Sequence, residues 1–566
     1  MKKEQPAPQV LLQLQRRIFR SLELETDRLL GETPSEIFNY EKVYRTDFKK
    51  ISRRFELSNK EALVKEIRKS DVTFIGDFHS FQQAQRTALR LFREAILPGE
   101  NWAIGLEMIP SSYQKVLDDF QAGKIAVKTF HELIHYQEQW GFPWENYAPI
   151  FEWAHRHRVR LIALNRPKEF LPGSTMLRRV GRKGELHDRD QWAAGLITDY
   201  FHEQKGKKPK PKMIVIYGEL HLARNHLPRQ MEKISSSFLG KKLKWLTIHQ
   251  NNTELYWKLA KKGLENEANV LRLKKNSYCV FSGTPWNKLQ SLISWLEGES
   301  NPGFDFTDPE SEFLSAMRTY GNAITELFEL RSVSFENLTI KTVTDTDFMA
   351  SMAESRNRRI FKSLVTANQR VYVEASEVGA SNFVYLPTFS ENWAAELAAV
   401  HIFKSLKKSS GFSVKTREDW FRLVSEYAFG FLGSLVMNPR RKCDLRSDHL
   451  IRIKALRESH DHELDSRRLA AAMSAKNRSR GLGMLTEYLD NPKRSPALVM
   501  SARYLGQIIG KKLHEKLLDE EITPLEIQRI LLSRAKDHEK KLIPVFEEFF
   551  ETALKRELAS SKTDVL

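Results

Sequence analysis

The chain has 566 residues, which is too long for one hydrophobic core and predicts more than one domain. Its composition, 41% hydrophobic and 29% charged, excludes disorder over most of the length. The net charge of +18 favours an anionic ligand or partner, but Lys and Arg alternate with Asp and Glu and no nucleic-acid motif is present, so we expect no nucleic-acid binding.

Targeting and redox signals are equally sparse. The two cysteines, Cys279 and Cys443, exclude a disulfide framework and fit a reducing compartment. The N-terminal residues show no apolar signal-peptide core and no lipidated cysteine. The densest apolar run, 420–437, contains Arg422 and Glu426, so it predicts a core helix and no transmembrane segment. We therefore expect a cytoplasmic protein.

The first 300 residues predict an α/β fold. Residues 1–70 have apolar positions at helical spacing. From residue 71 onward, short apolar runs alternate with longer amphipathic stretches, a pattern typical of a mostly parallel sheet flanked by helices. The predicted strands are 72–75, 102–106, 159–164, 213–217 and 245–248, with further edge strands at 271–273 and 278–281.

The second half of the chain predicts a mainly α-helical domain. A segment with two prolines, a glycine and four acids follows residue 298 and is typical of a linker. Thr523, Pro524 and Glu526 predict a helix start, and short strands are expected at 338–343, 371–373 and 383–386. The expected division is an N-terminal helical segment, an α/β domain, a linker and a helical domain, at 1–65, 66–298, 299–310 and 311–566.

Polar side chains follow each of the first four predicted strands. Asp77 and His79 follow the first strand, Glu107 and Met108 the second, Asn165 and Arg166 the third, and Glu219 and His221 the fourth. Parallel strands share one carboxyl edge, where ligands of open α/β sheets bind. The sequence therefore predicts a site at this edge.

Three of these residues suggest a metal site. His79, Glu107 and His221 match the arrangement of two histidines and one carboxylate that leaves metal positions open for water or substrate. Asp77 and Glu219, each two residues before a histidine, are candidates for orienting it, for further ligation, or for acting as a catalytic general base. The alternative for each histidine is a hydrogen-bonded turn residue. The same letters recur at Gly184–His187, but no apolar strand precedes them, so we interpret that copy as chance.

The motifs GDFH, GLEM, GELH, WENYAPIFEWA, ALNRP and ARNHLP resemble those of the ChaN-like haem-binding uptake family, whose superfamily includes Tiki metalloproteases and erythromycin esterases. The resemblance covers roughly residues 65–298 and implies an α/β sheet with its site at the strand ends. It implies haem, often held between two subunits and hence a possible homodimer, or a divalent transition metal on His79, Glu107 and His221. In the esterase branch, the residue matching His79 acts as a base.

For haem, the candidate ligands nearby are Tyr217, His226 and, less favoured, Met108, with Arg224 placed to pair with a propionate. The chain departs from the family in lacking a lipid anchor, which speaks against uptake at an outer membrane, and in having Asp77 where Glu is usual. Three hypotheses stay open: haem or iron binding, metal-dependent cleavage of an ester or amide, and a non-catalytic scaffold.

Overall fold

The computed structural model describes most of the chain, and the chain divides into two compact units, residues 19–304 and residues 1–18 with 305–566. The domain boundaries expected from the sequence stay predictions. The described residues are 6–31, 35–167, 185–265, 267–300, 309–342, 345–355, 357–366, 369–374, 382–387, 390–407, 414–456, 462–475, 478–533, 537 and 541–542.

The N-terminal region is helical as expected, with one short strand that the sequence pattern did not predict. Helices α1 and α2 precede strand β1, and helix α3 leads into the sheet. Their bounds are α1 Ala7–Leu30, α2 Ser35–Ile51, β1 Glu56–Ser58 and α3 Lys60–Lys69.

The α/β unit contains an eight-stranded sheet in the order β1-β7-β8-β6-β2-β5-β3-β4. The run from β8 to β4 is parallel, and β7 and β1 continue it antiparallel. The predicted mostly parallel sheet is therefore confirmed. The strands are β2 Val72–Asp77, β3 Trp102–Pro110, β4 Arg160–Asn165, β5 Lys212–Gly218, β6 Trp245–Gln250, β7 Val270–Lys274 and β8 Ser277–Val280.

Helices cover both faces of this sheet because successive strand residues point to opposite sides. Ile214 and Ile216 of β5 pack into one apolar core, and Met213, Val215 and Tyr217 pack into the other. The flanking helices are α4 Gln82–Ala95, α5 Gln114–Gln121, α6 Val127–Leu133, α7 Tyr136–Gln139, α8 Ala148–His157, α9 Glu185–Glu203, α10 Leu227–Leu239, α11 Thr253–Ala260 and α12 Pro285–Ser300.

The second unit is mainly helical, as predicted, with a three-stranded sheet in the order β10-β11-β9. Its helices are α13 Pro309–Leu327, α14 Thr346–Glu354, α15 Arg358–Thr366, α16 Glu391–Lys407, α17 Arg417–Met437, α18 Arg446–Ala455, α19 His462–Met473, α20 Ser479–Leu489, α21 Ser495–Leu518 and α22 Pro524–Leu531. Its strands are β9 Leu338–Lys341, β10 Val371–Val373 and β11 Asn382–Tyr385.

Several local predictions in this half are confirmed. Thr523 and Glu526 form a reciprocal capping box at the start of α22. The apolar run 420–437 is a buried helix, and none of the helices in the described ranges has the length and hydropathy of a transmembrane span. For the linker, α12 extends to residue 300 and α13 begins at residue 309, while the residues between them lie outside the described ranges.

Candidate functional site

The sheet order brings three of the sequence-predicted residues together. His79 follows β2, Glu107 lies on β3, and His221 lies in a one-turn helix directly after β5. Since β5 runs between β2 and β3, the three side chains meet around its last residue, Gly218. A Cβ atom placed on Gly218 would lie 3.2 Å from Oε2 of Glu107, 3.3 Å from Nε2 of His79 and 3.4 Å from Cδ2 of His221. The absence of a side chain at residue 218 therefore lets these groups approach one another.

His79 is held by the carboxylate two residues before it. Its Nδ1 lies 2.9 Å from Oδ2 of Asp77, and Asp77 also accepts hydrogen bonds from Tyr147 and Gln85, both at 2.6 Å. Burial acts to lower the pKa of His79, but the hydrogen bond and charge of Asp77, together with Glu107, raise it above its ordinary value. The His79 side chain is 19% exposed, which makes it the most accessible of the three.

Glu107 lies between the two imidazoles. Its Oε2 is 3.9 Å from Nε2 of His79, and its Oε1 is 3.9 Å from Nε2 of His221. The same carboxylate accepts hydrogen bonds from the Arg189 guanidinium and from the backbone N–H of Gly218. Burial alone would raise the pKa of Glu107, but Arg189, His221 and His79 lower it, so the carboxylate is ionised at neutral pH.

His221 is oriented from α9 and α2. Its Nδ1 lies 2.7 Å from Oδ1 of Asp190, and the hydroxyl of Tyr40 lies 2.8 Å from the same nitrogen while donating to Oδ2 of Asp190 at 2.6 Å. Burial lowers the pKa of His221 to about 3 and raises that of Asp190 to about 7. His221 is therefore neutral at physiological pH, and we assign its proton to Nδ1.

Glu219 does not orient His221, in contrast to one of the roles expected from the sequence. Its carboxylate is 2.7 Å from Nζ of Lys288 and accepts a hydrogen bond from Tyr44 at 2.5 Å, on the side of the turn that faces β6. Successive residues of the one-turn helix point in different directions, so two residues of separation put Glu219 and His221 apart. Its suggested roles as ligand or catalytic base stay predictions.

The four haem-binding candidates, three possible iron ligands and Arg224 as a partner for a propionate, occupy different environments. Tyr217 and Met108 are buried in the apolar cores, and the Tyr217 ring contacts His221 edge to face at 4.9 Å. Arg224 is exposed. His226 is 1% exposed and donates its Nδ1–H to the carbonyl of Leu220, while its Nε2 has no hydrogen-bond partner in the described part of the chain.

Sequence reasoning missed the residues that support the site from helices. Arg189 and Asp190 lie on α9, Tyr40 and Tyr44 on α2, and Lys288 on α12. The sequence of α2 did contain one indication that this helix packs against the rest of the unit. Tyr40, Tyr44 and Phe48 recur every four residues and form its buried face. Of the repeated letters at 184–187, residue 184 and the stretch before it lie outside the described ranges, and residues 185–187 open α9. His187 nevertheless lies 5.4 Å from the Tyr40 ring and 5.5 Å from the His226 ring.

The described residues contain no group of three or more His, Cys, Asp or Glu side chains that could hold a bare metal ion as they stand. The contacts of Glu107 give a physical reason. Both of its oxygens already accept N–H donors, and each is 3.9 Å from the nearest imidazole nitrogen.

Comparison with known proteins finds a family match for part of this chain. Residues 63–194 match the family described as "Haem-binding uptake, Tiki superfamily, ChaN". A solved structure described as "Cofacial heme binding to ChaN of Campylobacter jejuni" is similar at 13% identity and a TM-score of 0.27, covering 41% of this chain and 98% of that chain. No curated protein matches the chain. The family match includes His79, Glu107 and Asp190, and His221 lies beyond it. Residues 63–194 are therefore similar to the ChaN haem-binding uptake family of the Tiki superfamily.

Proposed function

We propose that the α/β unit binds haem at the carboxyl edge of its sheet, with His79 as the iron ligand. One observation carries the proposal. Two imidazoles each have Nδ1 held by a carboxylate, Asp77 for His79 and Asp190 for His221, and each directs Nε2 toward Glu107. A carboxylate behind the imidazole is the usual support of a histidine that ligates iron or zinc, because it fixes the tautomer and makes the other nitrogen more basic.

His79 is the better placed of the two for a large planar ligand. Its side chain is 19% exposed and that of His221 only 7%. Its ring also packs against the buried rings of Trp140 at 4.4 Å and Phe142 at 4.9 Å, which hold the imidazole in place. When bound, haem supplies an iron centre whose reactivity depends on that axial ligand and on the polarity around it.

The buried groups around the site fit such a ligand. His226 has a buried, unprotonated Nε2 without a hydrogen-bond partner among the described residues, and burial lowers its pKa, so it stays neutral. Exposed Arg224, beside this turn, is a candidate partner for a propionate. Both oxygens of Glu107 already accept hydrogen bonds, from Arg189 and Gly218, which is a reason to place haem before a bare divalent metal.

A titration of the full-length protein with haemin tests the proposal, with iron-free protoporphyrin as the matched probe. We expect a Soret shift that saturates at micromolar haemin and at least tenfold weaker binding of protoporphyrin, because only haemin offers an iron to His79. Equal affinities for the two porphyrins, or no Soret shift at micromolar haemin, would contradict it. Sedimentation of the complex reports whether the liganded protein is a homodimer.

Metal-dependent hydrolysis is the second candidate, and one observation favours it. The partly exposed imidazole of His79 lies between two buried carboxylates, with Nδ1 2.9 Å from Asp77 and Nε2 3.9 Å from Glu107. A divalent ion held by His79, Glu107 and His221 would lower the pKa of a bound water, and Asp77 or Glu219 would accept the proton of that water. Elemental analysis of the purified protein, with ester hydrolysis by the H79A/H221A variant, tests this reading. Absence of metal together with unchanged hydrolysis would rule it out.

A further inference from the structure

Lysines are concentrated at the amino ends of the parallel strands, on the side of the sheet opposite the candidate site. The loops directly before β5 and β6 lie at the amino ends of two strands that flank β2. Both loops are exposed, and neither contributes a residue to the site described above. Their lysines are Lys205, Lys207, Lys208 and Lys210 in one loop and Lys241, Lys242 and Lys244 in the other, and we call these seven residues the lysine edge.

A buried aspartate at the start of β2 holds the two loops next to each other. One carboxylate oxygen of Asp71 lies 2.5 Å from Nζ of Lys210, and the other accepts the backbone N–H of Lys244 at 2.8 Å. The carbonyl of Lys244 accepts the N–H groups of Asp71 and Val72 in return. The lysine edge is thus a fixed feature of the fold and not a pair of independent loops.

Much of its charge is not neutralised. Lys210 and Lys242 pair with Asp71 and Glu232, while Lys205, Lys207, Lys208, Lys241 and Lys244 have no carboxylate within ion-pair distance in the described ranges. Two neighbouring acids are already occupied, since Glu100 pairs with Arg68 and Glu203 with Arg160. This surface therefore presents a net positive field to any anionic partner.

An exposed aromatic residue lies within the lysine edge. Phe238, at the end of α10, is 57% exposed and contacts only the ring of His202, at 5.0 Å, among the aromatic side chains described. His202 lies at the end of α9, three residues before Lys205, and Phe238 lies three residues before Lys241. The two rings thus connect the lysine loops and leave a large apolar group among the cations.

We propose that the lysine edge and Phe238 dock onto an anionic phospholipid bilayer. A membrane surface offers diffuse negative charge to several lysines at once and an interfacial layer into which one aromatic ring inserts. The patch consists of lysines, which act as point charges. It lacks the planar guanidinium groups of arginine, which bind single phosphates or base edges with two hydrogen bonds. Docking in this orientation leaves the carboxyl-edge site on the side away from the lipid.

Co-sedimentation of the full-length protein with vesicles tests this docking, using phosphatidylcholine with and without phosphatidylglycerol. The test variant is K207E/K208E/K241E. The matched control, K128E/K261E/K493E, changes three exposed lysines elsewhere and alters the net charge by the same amount. Circular dichroism melting establishes that both variants fold.

We expect the wild type and the control to bind only the anionic vesicles, and the test variant to bind about 100-fold or more weakly. F238A should weaken binding to anionic vesicles by about tenfold. The loss should be clearest at high salt, where the lysine charges are screened and the apolar contribution remains. Equal binding by the two triple variants, or no preference for anionic lipid, would overturn the proposal. The proposal would also be overturned if the wild type bound neither kind of vesicle but bound single-stranded RNA, and the test variant lost that RNA binding.

Discussion

Asp190 lies 2.7 Å from Nδ1 of His221, although the two residues come from a helix and a strand-end turn that are 31 positions apart in the chain. Tyr40 donates to the other oxygen of the same carboxylate. These contacts fix the His221 ring so that Nε2 faces Glu107.

Replacement of Asp190 by Asn should therefore weaken ligand binding at the site. The neutral amide no longer favours the Nδ1 proton of His221, and supports of this kind typically contribute a factor of about 10 to 100 in affinity. Haemin titration measures the loss. D188N is the matched control, since Asp188 lies on the same helix but pairs with Arg166 at the surface. Equal affinities of D190N and D188N would show that Asp190 does not position His221.

Gly218 offers a test of the close approach of the site residues. G218A would place a Cβ atom 3.2 Å from Glu107 and 3.3 Å from His79, so both side chains would have to shift. We expect at least tenfold weaker haemin binding with a nearly unchanged melting temperature. G195A is the control, because outside the adjoining backbone of α9 itself no described atom lies within 4 Å of the Cβ that it adds. A G218A protein with the affinity of the wild type would contradict the convergence of the three groups.

The strands and their polar ends could be predicted from the sequence, and the helical supports could not. Strands β2, β3 and β5 are short apolar runs followed directly by polar residues, so the signal is local. Asp190 and Tyr40 reach the site only because α9 and α2 pack over the strand ends, and nothing near either residue specifies that packing. Glu219 illustrates the same limit. Its position two residues before His221 suggested a contact between the two, but the one-turn helix and the ion pair with Lys288 turn its side chain away from His221.

The ion pair of Glu107 and Arg189 should matter for stability as well as for binding. Arg189 is 5% exposed, and E107Q would leave its guanidinium buried without a counter-charge, at a cost of about 3 kcal/mol in unfolding free energy. Urea unfolding measures the change, and E107Q/R189M should recover part of it. The exposed pair of Arg160 and Glu203 is the control, and E203Q should change stability by less than about 1 kcal/mol. Equal effects of E107Q and E203Q would be inconsistent with this account.

The helical unit should lose stability in acid through Glu396. Burial opposes ionisation of Glu396, but Arg370, Arg441 and Arg503 around it lower its pKa from 4.5 to about 2. A carboxylate with a lowered pKa stabilises the folded state above its unfolded pKa and loses that contribution as pH falls through the folded value. The contribution, about 3 kcal/mol, should therefore disappear between about pH 4.5 and 2.

Comparison of wild type with E396Q by urea unfolding at several pH values tests this prediction. The wild type should be the more stable protein at neutral pH, and the difference should shrink as the pH falls below about 4.5. E336Q serves as the control, since Glu336 is exposed and forms no ion pair in the described part of this unit. A stability difference between wild type and E396Q that stays constant down to pH 2 would contradict the role of the three arginines.

The central claim, that His79 supplies the iron ligand at the carboxyl edge of the sheet, is tested most directly by the Soret spectrum of H79A during haemin titration. His155 is the matched control, an exposed histidine on α8 whose Nδ1 contacts the carbonyl of Gln121. We predict that H79A shifts the Soret band and weakens binding at least tenfold, while H155A matches the wild type. A wild-type spectrum and affinity in H79A would contradict the account.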